Sequence, residues 1–192
     1  FMNKNAEKML LKLKQLNHNS SDIKTRSLII NNTKVIYAFI EGVCSDDKIS
    51  NFVVRSMTFD SKQNKSFFFT NFFEHLKDNI SNSVMAIIDN EKDLLFYFLS
   101  GFTIIFIDGY KKVIALETRR DLSRGVTESS SEGIIRGPKD SFTETHPTNI
   151  GLIRKRIKDP NLVVEDFFIG KRTKTKVSIV YLYDVAEISK VE

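Results

Sequence analysis

Tryptophan is absent from this chain, and cysteine occurs once, at Cys44. A lone cysteine excludes an intrachain disulfide and agrees with a reducing compartment. Within AFIEGVC it reads as a small buried apolar residue. The three histidines, His18, His75 and His146, are far apart, and no His or Cys pair has the spacing of metal ligands. Glycine is scarce, and neither the dinucleotide fingerprint nor the phosphate-loop pattern occurs. No serine sits in a nucleophile elbow, and Cys44 has no histidine near it in sequence. The chain is therefore expected to be no enzyme, with no catalytic residue, no metal and no cofactor. Gly137-Pro138 marks a turn, and Arg136 beside it is a single cation able to hold an anion.

A long hydrophobic run is missing too. The greasiest stretch, LLFYFLSGFTIIFI at 94–107, is broken by Ser100-Gly101 and flanked by Glu91, Lys92, Asp93 and Asp108. It falls short of the ~20 residues of a bilayer span and reads as a buried helix followed by a buried strand. The first residues carry no apolar signal-peptide core. Phe1 ahead of Met2 reads as the remnant of a tag, with Met2 the expected natural start.

What remains has ordinary globular composition: 192 residues, 41% apolar and 28% charged, enough for one large domain or two small ones. The net charge of +5 and pI near 9.2 favour anionic partners, mildly. Residues 3–16 place Ala6, Met9, Leu10, Leu13 and Leu16 at helical spacing, with Lys4, Lys8, Lys12 and Lys14 on the other side. Such a helix either lies on anionic lipid or docks its apolar stripe on its own domain, the commoner arrangement. RSLII and KVIYAFIEGV, separated by NNT, form a hairpin, because Asn tolerates positive φ in the turn. SDDKISNFVVRSM begins a short helix capped by Ser45 or Asp46. TFDSKQNKS is a loop, TNFFEHLKDNI a helix and SVMAII a strand. NEKDLLFYFLSG is a helix ending at Gly101. FTIIFID and KKVIALET make a second hairpin around Gly109.

This order predicts an α/β fold of two small α/β subdomains with mixed sheets, joined by a polar linker. The expected divisions are an N-terminal amphipathic helix over 1–20, a first subdomain over 21–119, a linker over 120–135 and a second subdomain over 136–192. The second contains a helix around 145–158, with Ile150, Ile153 and Ile157 on one stripe, a turn at DPN and a hairpin. Membrane-spanning segments are expected downstream.

The closing hairpin carries the densest charge. In IGKRTKTKVSIVYL, Lys171, Arg172, Lys174 and Lys176 fall within six positions. A solvated turn that discourages edge pairing accounts for Lys171 and Arg172, but less well for Thr173 and Thr175 alternating with lysines. Nucleic acid is disfavoured: single-strand binders place exposed rings among their cations. Here Phe167, Phe168, Tyr181 and Tyr183 fall inside the strands, where burial is expected.

Read together, RGP, SFTE, TNIGLIRKRIKDPNL and IGKRTKTKVSIVYL within residues 136–186 resemble the A subunits of spore germinant receptors of the GerA type. Residues 21–119 resemble them more loosely, through NSSDIKTR, the paired strands and LSGFTIIFIDGYKKVIALETR. Two departures stand out. His146-Pro147 replaces a pair ending in arginine, and since proline breaks a running helix, the helix is expected to start near Thr145 rather than at the Ser141…Glu144 capping pattern. The linker TESSSEG is less acidic and poorer in proline than the family's.

The resemblance implies the soluble N-terminal domain of a receptor A subunit, a signalling and assembly module in nutrient-triggered spore germination. It implies an inner spore membrane complex with B and C subunits and other A subunits, and this domain on the spore-core side. The candidate interaction surface comprises Arg136, Arg154, Arg156, Lys171, Arg172, Lys174 and Lys176. Its expected partners are neighbouring receptor subunits or an anionic membrane surface. The alternative is a germinant-binding module, with a nutrient held in a cleft between the subdomains.

Overall fold

Two tight turns organise the larger sheet. Asn32 adopts φ 61° and Gly109 φ 91°, the left-handed conformations that let strands reverse. The first joins β1 (Ile23–Ile30) to β2 (Thr33–Ile40), and the second joins β4 (Phe102–Ile107) to β5 (Val113–Glu117). With β3 (Met85–Ile88) they form a five-stranded sheet in the order β1-β2-β4-β5-β3. The structure, a computed structural model, describes residues 3–30, 32–54, 84–121 and 141–191. The loop expected at TFDSKQNKS, the helix at TNFFEHLKDNI and most of the 120–135 linker lie outside the described residues, as does Arg136.

The α/β architecture holds, but the expected mixed sheet does not: every described strand pairing is antiparallel. Three of the connections, β1 to β2, β4 to β5 and that of the carboxyl-terminal ribbon, are hairpins, which can only pair strands antiparallel.

The sheet is covered on both sides, and β4 explains the apolar run that marked it. Ile104 and Phe106 join one core cluster, Ile105 and Ile107 the other. A central strand buried on both faces loses the apolar–polar alternation of a half-exposed one. Against the first face pack α1 (Ala6–Leu16) through Ala6, Met9 and Leu13, and α3 (Glu91–Leu99) through Leu94 and Phe98. Against the second pack Ile49 and Val53, from a wide π-helical turn (Ile49–Val54) that continues the short α2 (Asp46–Lys48).

The helix ends follow the expected chemistry. The Asn5 side chain accepts from Lys8 N at 2.9 Å, and Ala6 N donates to Asp108 at 3.2 Å, so α1 is docked on its own domain. Ser45 caps α2 and Asn90 caps α3. Gly101, at φ 88°, ends α3; a Cβ there would meet Val43 Cγ1 at 2.9 Å. Among the described residues no helix is long and apolar enough to cross a membrane.

The carboxyl-terminal part holds α4 (His146–Arg156) and a separate two-stranded sheet of β6 (Leu162–Ile169) and β7 (Thr175–Leu182). Thr145 stands at the N-cap and Pro147 in the first turn, where its missing N–H costs nothing. The stripe anticipated for α4 is corrected: the helix buries Ile150, Gly151, Leu152 and Arg154, while Ile157 lies past its end and is exposed. Two glycines set its approach. A Cβ on Gly42 would lie 2.0 Å from the Pro147 carbonyl oxygen, and one on Gly151 2.4 Å from the Gly42 carbonyl oxygen. The helix therefore rests backbone against backbone on the turn that follows β2.

Candidate functional site

The β6–β7 turn is built from local chain preferences. Gly170 takes φ 88° and Lys174 φ 46°, and Lys174 N donates to Gly170 O at 3.1 Å. Lys171, Arg172 and Lys174 sit in this five-residue tip and are exposed. Phe167 and Phe168, expected to be buried in the strand, are 42% and 71% exposed, which corrects that reading, and Ile169 beside them is 59% exposed. A two-stranded ribbon has only one neighbour per strand, and no other described element covers its far end. Tyr181 is half-buried and donates to Glu165 at 2.5 Å, whereas Tyr183 is exposed and stacks on His18 at 3.9 Å.

Lys176 behaves differently from the tip. Its ammonium lies 2.9 Å from Asp166 and 3.6 Å from Glu41. The Ser178 hydroxyl donates to the same Asp166 at 2.5 Å and lies 2.7 Å from His146 Nε2 on α4. Burial pushes the Asp166 carboxyl up, but the Ser178 hydroxyl and the Lys176 ammonium outweigh it and hold it below the usual value. For Lys176, burial works downward, and the Asp166 and Glu41 carboxylates overcome it and raise the ammonium above its usual value. Lys176, paired across the ribbon with Phe168 just behind the tip, thus ties the hairpin to the turn after β2 rather than extending its charged tip.

Arg154 is not part of a surface. Only 2% exposed, it is removed from the candidate interface, because its guanidinium is enclosed by its own partners. Nε donates to Asp22 Oδ2 at 2.8 Å, and Nη2 donates to Asp22 Oδ1 and to Ser20 Oγ, both at 3.0 Å. Ser20 Oγ also donates to Asp22 Oδ1 at 2.6 Å and accepts from Val164 N at 2.8 Å. One fork-shaped cation thereby joins α4, the loop before β1 and strand β6. Asp22 and Ser20 were missed as partners, although both stand in NSSDIKTR. The available signal was general: a cation on a buried helix face demands a carboxylate.

Of the other candidates, Arg156 is exposed at the end of α4. The structure thus groups Lys171, Arg172 and Lys174 at one tip, with Lys176 just behind it. No group of three or more His, Cys, Asp or Glu residues able to hold a metal occurs among the described residues. Cys44 is buried, donates to Gly101 O at 3.4 Å, and burial raises its thiol.

A profile of the family described as Bacillus/Clostridium GerA spore germination protein matches residues 11–192. Spore germination protein B1 of Bacillus subtilis is 32% identical over 161 residues, covering 80% of this chain and 31% of that protein. The Bacillus subtilis protein named "Uncharacterized membrane protein YfkQ" is 27% identical over 184 residues, 95% of this chain and 35% of that one. The chain thus spans about a third of the length of these curated relatives. The crystal structure of the N-terminal domain of the A subunit of the Bacillus megaterium spore germinant receptor GerK3 superposes with a TM-score of 0.76. Identity is 26%, and the match covers 99% of this chain and 70% of that one. Two sheets, α4 locked onto the larger one and a projecting basic hairpin are therefore features of a chain that belongs to the GerA family of spore germination proteins.

Proposed function

We propose that this chain is the N-terminal domain of a spore germinant receptor A subunit and acts as an assembly and signalling module rather than as an enzyme. The observation that carries the reading is the likeness to the GerK3 A subunit domain along nearly the whole chain. The carboxyl-terminal hairpin is held by the Arg154–Asp22 pair near its base and by the Lys176–Asp166 pair further along the ribbon, and offers an exposed cationic tip. A charged tip on an anchored hairpin suits a contact that orients the domain within a membrane complex.

The partners in this reading are the B and C subunits and other A subunits of a complex in the inner spore membrane, with this domain on the spore-core side. Lys171, Arg172 and Lys174 carry the contact, and Arg156 and Arg136 are further candidates. The germinant-binding alternative requires a cleft where the two parts of the chain meet. Among the described residues α4 meets the turn after β2 backbone to backbone, and a concavity of about 460 Å³ lies on the larger sheet beside Arg26, Tyr37 and Asp46.

The test is a full-length receptor carrying Lys171→Glu, Arg172→Glu and Lys174→Glu. The expected outcome is reduced co-purification of the other subunits and slower germination. Normal assembly with normal germination would overturn the reading.

A further inference from the structure

From Phe167 to Val177 the chain holds four cations and no acid. Lys176 is paired with Asp166, which leaves Lys171, Arg172 and Lys174 exposed at the tip. Register supplies the rest. Phe167 faces Val177 and Glu165 faces Ile179 across the ribbon, so Phe167, Ile169, Val177 and Ile179 share one face. Phe167 is 42% exposed, Ile169 59%, Val177 37% and Ile179 39%, and Phe168 on the opposite face is 71% exposed. Apolar side chains on both faces of a ribbon end, rimmed by cations of one sign, form an amphipathic point rather than an amphipathic side.

We infer that the β6–β7 tip docks on an anionic lipid surface, with Phe168 and Ile169 entering the interface and Lys171, Arg172 and Lys174 at headgroup level. The inference rests on the membrane-complex reading above and names one partner for it. Charge complementarity selects lipid over protein. Interfaces between proteins are depleted in lysine, and they fix register with paired charges of both signs. The tip has no acid to contribute to such pairing. Membrane-interface segments combine Lys and Arg with exposed Phe and aliphatic residues, as this tip does. A relative matched along 95% of this chain is named a membrane protein, so a bilayer lies within that chain's reach.

The experiment uses the chain as it stands, with sedimentation of phosphatidylglycerol-containing vesicles and of pure phosphatidylcholine vesicles. Selective binding to the anionic vesicles, weakened by high salt, is expected. Lys171→Gln, Arg172→Gln and Lys174→Gln together lower partitioning roughly a hundredfold, at about fivefold per basic residue. Phe168→Ser with Ile169→Ser lowers it about tenfold or more through lost apolar burial. All five positions are solvent-exposed, and an unchanged melting temperature confirms that each variant is folded.

Absence of selective binding overturns the inference. So does binding that survives the apolar variant, because it would be diffuse electrostatic adsorption. Co-purification of receptor subunits with the same variants separates the two proposals. If vesicles fail to bind and the charge-altered receptor also fails to assemble, the lipid contact falls and the tip belongs to a protein neighbour. If vesicles bind and assembly is normal, the lipid contact stands and the assembly role falls.

Discussion

Replacing Arg154 by alanine is the most informative single perturbation of this fold. The guanidinium is 2% exposed and supplies three short hydrogen bonds to Asp22 and Ser20. Its removal leaves the Asp22 carboxylate, itself 3% exposed, with the Ser20 hydroxyl as its remaining side-chain donor. Breaking a buried ion pair by deleting one partner costs ~3–5 kcal/mol, chiefly through the uncompensated charge left behind. In a chain of this size ~1 kcal/mol corresponds to roughly 2–4 °C in melting temperature, so the loss should be on the order of 10 °C. Because the arginine joins α4 to the loop before β1, hydrogen exchange should rise first in α4 and β6. Arg154→Lys retains the charge but loses the fork, and should recover only part of the stability. The double variant Arg154→Met with Asp22→Leu removes both charges and should be more stable than Arg154→Ala alone. The assay is urea unfolding followed by far-UV circular dichroism. A loss of under about 1 kcal/mol for Arg154→Ala would refute the claim that this pair locks the two parts of the chain, since that is the range of an exposed pair.

Other expectations follow from the same contacts. Gly151→Ala should destabilise the protein by about 1–3 kcal/mol, because its Cβ would lie 2.4 Å from the Gly42 carbonyl oxygen with only backbone to yield. Gly109→Ala meets open space and should cost only about 1–2 kcal/mol for its left-handed φ; thermal melts of the two should rank in that order. Phe98→Ala on α3, wholly buried in the first core cluster, should cost about 3–5 kcal/mol in denaturant unfolding. The Asp166 carboxyl is held below its usual value in the folded chain, so its contribution is present above the unfolded value of about 3.9 and is lost as pH falls below that. The Lys176 ammonium is raised, so its contribution is present below about 10.4 and is lost as pH climbs past that value. Asp166→Asn should therefore lower stability at neutral pH, and the difference from the parent chain should shrink as pH falls below about 3.9, as read by urea unfolding across pH.

Local chemistry carried most of what was legible in advance. The Asn and Gly turns, the cap of α2, the glycine that ends α3 and the stripe on α1 each depend on residues a few positions apart, and each stands where the periodicity placed it. Strand direction was harder. Parallel and antiparallel pairing depend on how the chain crosses between strands, which the alternation of strands and helices does not specify. Arg154 was misplaced because Asp22 lies 132 positions away, so nothing in RKRIK distinguishes the buried cation from its exposed neighbours Lys155 and Arg156. Phe167 and Phe168 were misplaced for the opposite reason. Strand propensity rewards aromatic residues on a pleated surface, and only the tertiary arrangement shows that this ribbon end has no described cover. The charge at the tip was readable as a cluster, whereas its division into three exposed cations and one tethered lysine was not.

The central claim is that the exposed cationic tip makes the contact through which this domain serves a germination receptor. Spores carrying Lys171→Glu, Arg172→Glu and Lys174→Glu in the full-length protein, at receptor levels matched to the parent strain, put it to the most direct test through the rate of nutrient-triggered germination. The account predicts a clear slowing. A rate indistinguishable from that of the parent strain would contradict it.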